Sequence, residues 1–241
     1  MLHVCFIAAG LGEAMRFQSL AVVAATLIAC AAPAYAASPR EELIRAAFAT
    51  HDKGQALALV DQAITDSQTI LAQSPGDREA KLQQALGIGY RGQLKRSPSD
   101  AKAAHGLIQS LASADPRDPE AQIAMAGWHL TAVGDLGNFL ARTLLGANRD
   151  AGFSALDKAV AMGGNRAFFA GYAALIRIKL DSSDTATALR LAQRAAGQPA
   201  PGPIDRVMQR AAQRIIPMLQ AGDGAGASRL AKQLLPFGTL S

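Results

Sequence analysis

The chain has 241 residues, half of them hydrophobic but only 5% aromatic, and a formal net charge of +5. Its apolar content is mostly Ala and Leu, which favour helix, whereas sheets lean on Val, Ile, Thr and aromatics. The basic residues are scattered and lack interleaved aromatics, which excludes a stacking nucleic-acid groove and leaves the charge as a solubilising surface.

The first fourteen residues, MLHVCFIAAGLGEA, carry no positive charge. From Met15 the sequence has the order of an export signal, which makes Met15 the expected start. Arg16 supplies the positive end, residues 17–32 are largely apolar, and Ala34-Tyr35-Ala36 is a small-x-small cleavage site. Signal peptidase is expected to cut between Ala36 and Ala37. The alternative is the lipobox-like string Leu27-Ile28-Ala29-Cys30, in which Cys30 is acylated and becomes the first mature residue. Both routes take the body out of the cytoplasm, and the short signal suggests a bacterial periplasm. Both cysteines, Cys5 and Cys30, precede the body. Residues 37–241 therefore need no disulfide and offer no thiolate.

The body reads as a single helical domain over residues 37–241. Helices are expected over 39–50, 53–72 and 78–95, then up to 114, then over 120–133. Pro-containing breaks follow Ser74, Ser97 and Asp115. Asp118 is placed to cap the fifth helix, with Pro119 at its first position. Residues 134–150 read as an insertion with a short apolar piece around Phe139 to Leu145. Helices follow over 151–162, 166–180, 184–196, 203–221 and 225–235, separated by Gly- and Asp/Ser-rich turns. No stretch alternates with period two, so no sheet is expected. The expected fold is all-α, with antiparallel helical hairpins stacked into an array.

A repeat runs through these hairpins. Gln83-x-x-Leu86-Gly87-x-x-Tyr90 places a Leu-Gly pair and an aromatic on one helix. Ile123-x-x-Ala126-Gly127-x-x-Leu130 and Phe169-x-x-Tyr172-Ala173-x-x-Ile176 echo it. The intervening helices carry small and bulky residues in step: Ala56/Val60/Ala63, Ala104/Ile108/Leu111, Gly152/Leu156/Ala159 and Ala188/Ala192/Ala195. Over roughly residues 53–200 the pattern resembles the tetratricopeptide-repeat (TPR) family. The resemblance implies a right-handed solenoid, irregular here because the unit is longer than the family's usual one. It also implies a concave face formed by first helices that binds an extended peptide or a partner helix. In that register Lys81, Gln84, Arg91, Trp128 and Arg177 are the residues expected to meet a partner.

No catalytic constellation accompanies the repeat. His51, His105 and His129 lack a second ligand at metal-binding spacing, and no phosphate loop or nucleophile elbow is present. No metal, cofactor or nucleic acid is expected. The reading is a periplasmic TPR-like scaffold or adaptor for a protein or peptide, and not an enzyme. Two alternatives stand beside it. One is an envelope lipoprotein accessory subunit, membrane-bound only through Cys30. The other is a helical protein that binds a small molecule.

Overall fold

A computed structural model of the chain describes residues 37–240. Cys30, Met15 and the residue before the expected cut, Ala36, lie outside the described residues. Ten α-helices run in the order α1 (Pro39–Phe48), α2 (Lys53–Gln73), α3 (Arg78–Lys95), α4 (Pro98–Ala114), α5 (Pro119–Leu140), α6 (Arg149–Met162), α7 (Ala167–Leu180), α8 (Thr185–Gly197), α9 (Pro203–Gln220) and α10 (Gly224–Leu234). A π-helical turn, Ala141–Leu145, follows α5. There is no strand among the described residues, so the all-α expectation holds.

The helix starts are built from local chemistry. Ser38 accepts a hydrogen bond from the Glu41 N–H while the Glu41 carboxylate accepts from the Ser38 N–H, a reciprocal capping box on α1. Asp52, Asp77, Ser97, Asp118 and Asn148 each accept from a first-turn N–H of the next helix. These caps satisfy backbone donors that have no partner within the helix. Asp118 and Pro119 take the cap and first-turn positions read from the sequence.

Consecutive helices pack on one another throughout. Each odd-numbered helix also touches the next odd-numbered one, from α1 through α9. The even-numbered helices have no comparable contacts with one another, so they form an outer layer. The small residues named from the repeat permit this close packing. Ala56, Ala63, Ala104, Ala159, Ala188, Ala192 and Ala195 are all fully buried, with Val60, Ile108 and Leu156 filling the space between them. A Cβ at Gly87 would meet Ile64 of α2 at 2.7 Å, and one at Gly127 would meet the Tyr172 hydroxyl of α7 at 3.1 Å. Absent side chains at those two positions let the neighbours approach.

The last hairpin departs from a simple stack. α10 packs on α7 as well as on α9, and α9 touches α1. The tail after α10 reaches the first hairpin, where the Phe237 N–H donates to the Ala47 carbonyl at 2.8 Å. The inner helices thereby surround an interior space.

Within the insertion expected over residues 134–150, the helix end expected at 133 requires correction: helical backbone runs on to a break at Gly137, and the short apolar piece around Phe139 to Leu145 follows it as a second helical segment that passes into the π-turn. In the fold Gly137 adopts φ 77°, ψ 160° and kinks a helix that continues beyond it, while Gly146 ends the π-turn in a left-handed conformation.

Candidate functional site: an interior cavity

The odd-numbered helices line a cavity of about 1000 Å³. Its wall is built from i, i+4 rows that each inner helix turns inward. Leu82, Leu86 and Tyr90 come from α3, Ile123, Gly127 and Thr131 from α5, and Phe168, Tyr172 and Ile176 from α7. Ile44 and Phe48 of α1 and Met208 of α9 complete it. The spacing puts each row on one helical stripe, so the inward faces are continuous and largely apolar. Burial pushes the phenol of Tyr172 up to about 12 and raises that of Tyr90, so both rings present neutral hydroxyls at ordinary pH.

One end of the cavity is closed by a ladder of ion pairs between the starts of the inner helices. The Arg40 guanidinium donates to Glu79 at 2.6 and 2.7 Å and to Glu120 at 2.7 Å. Arg78 pairs with Asp118 and donates to Glu120 at 3.1 Å. Arg166 donates to Glu120 at 2.9 Å and to Asp205 at 3.2 Å. Apart from Arg40–Glu120, which spans 80 positions, the rungs join residues 39 to 46 positions apart, so the ladder repeats at the length of one hairpin. It also proves that the first turns of α1, α3, α5, α7 and α9 lie together. Burial alone would push Glu120 up, but hydrogen bonds and charge from Arg40, with Arg166 and Arg78, hold its carboxyl down at about 2. The two charged lining residues at this end, Arg40 and Glu120, are engaged by each other.

The opposite end is open. Among the lining residues only Lys53, Arg96, Pro98, Asp135, Leu136 and Leu144 are exposed. All six belong to the C-terminal ends of inner helices, to the starts of outer helices, or to the π-turn. They define a mouth. Beside it the kinked end of α5 presents Phe139, 78% exposed, with Leu140 and Leu144. Asp135 and Lys179 face each other at 3.5 Å on the rim.

Three rings cluster at the wall, with Trp128 lining the cavity and His105 and His129 behind it. Trp128 donates through Nε1 to the Ala101 carbonyl at 2.8 Å, and His105 stacks on it with centroids 4.1 Å apart. His129 is buried and accepts through Nδ1 from the Asn148 N–H at 3.1 Å. Burial and the neighbouring His105 depress its pKa to about 4. The neutral ring thus serves as a backbone acceptor that ties α5 to the cap of α6. No group of three or more His, Cys, Asp or Glu is placed to hold a metal among the described residues.

The residues expected to meet a partner separate. Trp128 lines the cavity. Lys81 is exposed and Gln84 half-buried, and neither lines it. Arg91 points to the outer layer, where it donates twice to Asp100 at 2.9 Å and lies 3.7 Å from Asp61. Arg177 pairs with Asp157 at 2.5 Å and sits 4.8 Å over the Phe153 ring, again away from the cavity. The repeat register puts Lys81, Gln84, Arg91 and Arg177 on the concave side together with Trp128. The inward stripe is instead the apolar one that carries the motif residues Leu86, Tyr90 and Tyr172, and their i, i+4 spacing was the available signal.

Comparison with models of protein families, with curated proteins and with solved structures finds no match to this chain. No helix of the described residues is long and apolar enough to cross a membrane.

Proposed function

We propose that this chain is an exported, TPR-like binding protein whose ligand is an apolar molecule held in the interior cavity, with no chemistry performed on it. The observation that carries this reading is the cavity's polarity. Its wall is a set of apolar stripes, the charged lining residues of its closed end, Arg40 and Glu120, are mutually engaged, and its exposed lining lies at one end. A volume near 1000 Å³ stands at the upper end of small-molecule sites, which are mostly apolar with a few placed polar groups. Export rests on the leader, and the TPR assignment rests on the repeat and the inner and outer helix layers.

The sole tryptophan, Trp128, reports on the cavity directly. Titration with a neutral phenylnaphthylamine probe is expected to quench its fluorescence saturably at one site per chain. Ala132→Phe, which adds a ring to the lining, is expected to weaken that binding at least fivefold while the fold is retained. Linear, non-saturating quenching in both proteins rejects the reading.

A second reading, an extended peptide as the ligand, is favoured by one feature. The chain's own tail puts Leu235, Pro236 and Phe237 against the cavity, with the Phe237 ring edge-on to Tyr90 at 4.9 Å. A synthetic peptide of residues 233–241 competing with the probe supports that version, and failure to compete leaves the small apolar ligand.

A further inference from the structure

The apolar reading above specifies the body of the ligand but not its head, and the distribution of charge around the cavity supplies one. At the closed end Arg40, Arg78 and Arg166 are all consumed by carboxylates. A charged ligand head placed there would have to displace a partner from the ladder, at the cost of stranding a half-buried charge. At the mouth the situation reverses. Lys179 is engaged by Asp135, but Lys53 and Arg96 line the cavity, are exposed, and make no ion pair with a described residue. Lys53 opens α2 and Arg96 ends α3 in a left-handed conformation, so both are fixed to the rim by helix ends.

Resting on the binding reading, we infer that the ligand is a single-chain amphiphile with an anionic head. Its chain lies along Leu86, Tyr90 and Tyr172 toward the closed end, and its head stays at the mouth beside Lys53 and Arg96. This orientation leaves the ladder intact and leaves the anion in partial contact with water, which avoids the cost of burying it. The exposed cations act as selectors of head charge, and burial of the chain supplies most of the affinity.

Three probes that share one saturated sixteen-carbon chain separate the contributions: hexadecanoate, hexadecanol and hexadecyltrimethylammonium. Each is titrated below its aggregation concentration against residues 37–241, with Trp128 fluorescence as readout. Hexadecanoate is expected to bind most tightly and the ammonium most weakly, with a spread of about tenfold or more. In Lys53→Glu/Arg96→Glu, hexadecanoate is expected to lose about tenfold in affinity while hexadecanol changes less than twofold. Both substituted side chains are exposed, so the variant is expected to melt with the parent. Equal binding of all three probes, or an ammonium preference, overturns the inference about the head while leaving the apolar cavity standing. Binding of none of them overturns both. Hexadecanoate binding that ignores the double variant assigns the head elsewhere and also overturns the inference.

Discussion

Arg40 and Glu120 are 80 residues apart in sequence and 2.7 Å apart in the fold. The pair joins α1 directly to α5, across the start of α3. It therefore does more than connect neighbouring hairpins: it closes the inner layer at one end. Surface ion pairs contribute little, but Glu120 is only 13% exposed and faces three arginines.

Glu120→Gln is expected to destabilise the protein by about 3 kcal/mol, because it removes the one carboxylate shared by three guanidinium groups and leaves each with a single acidic partner, Glu79, Asp118 or Asp205. For a domain of this size that corresponds to a fall in Tm of about 5–10 °C. Thermal unfolding followed by circular dichroism at neutral pH measures it. A change under about 1 kcal/mol would reduce the ladder to a set of ordinary surface pairs.

Two groups set the response to acid. The folded-state pKa of His129, about 4, lies below its ordinary 6.5. The unfolded chain therefore takes up this proton first, and the corresponding stability is present above about pH 6.5 and lost as pH falls toward 4. Glu120 is depressed from 4.5 to about 2, so its contribution is present above about 4.5 and fades as pH falls toward 2. Denaturant melts from pH 7 downward are expected to show two successive losses. His129→Gln is expected to flatten the first and leave the second, and an unchanged upper slope would assign it to another group.

The lip beside the mouth behaves differently from the core. Phe139 is 78% exposed, so Phe139→Ser is expected to change stability by less than about 0.5 kcal/mol. Leu156 is fully buried, and Leu156→Ala is expected to cost about 2–5 kcal/mol. Chemical denaturation of the two variants side by side checks the contrast.

Most of the helical layout was legible because its signals are local. Asp118-Pro119 marks a helix start in any context, and buried alanines repeat at helical spacing whatever they pack against. Two features were not legible. Gly134 and Gly137 punctuate the chain as a loop would, yet helical backbone resumes on both sides of the kink at Gly137. The inward face was misjudged for a related reason. Arg91 and Arg177 are spaced cations on inner helices, yet each is turned outward by a carboxylate on an outer helix, Asp100 or Asp157. Pairing partners 9 and 20 residues away are invisible to a search for one-helix stripes. The ladder at the closed end did leave a trace, since charged residues recur in the first turn of each inner helix at hairpin intervals.

The tail gives a further test. Phe237 packs edge-on to Tyr90 and adopts φ 61°, a conformation that a non-glycine residue holds only when its surroundings fix it. Phe237→Ala removes an aromatic pair worth about 1 kcal/mol beyond its burial. It also enlarges the cavity. The variant is expected to melt lower than the parent yet bind the neutral probe more tightly, by about twofold to fivefold. Weaker binding in parallel with lower stability would make the tail a wall element and nothing more.

The most direct test of an interior apolar site is to locate the bound molecule residue by residue. In heteronuclear NMR spectra of residues 37–241, saturating neutral probe is expected to shift the signals of Leu86, Tyr90, Gly127, Thr131 and Tyr172. The outward faces of α2, α4 and α8 are expected to stay unchanged. Shifts confined to Phe139, Leu140 and Leu144, or spread over the outer helices with the inner stripe silent, would contradict the account.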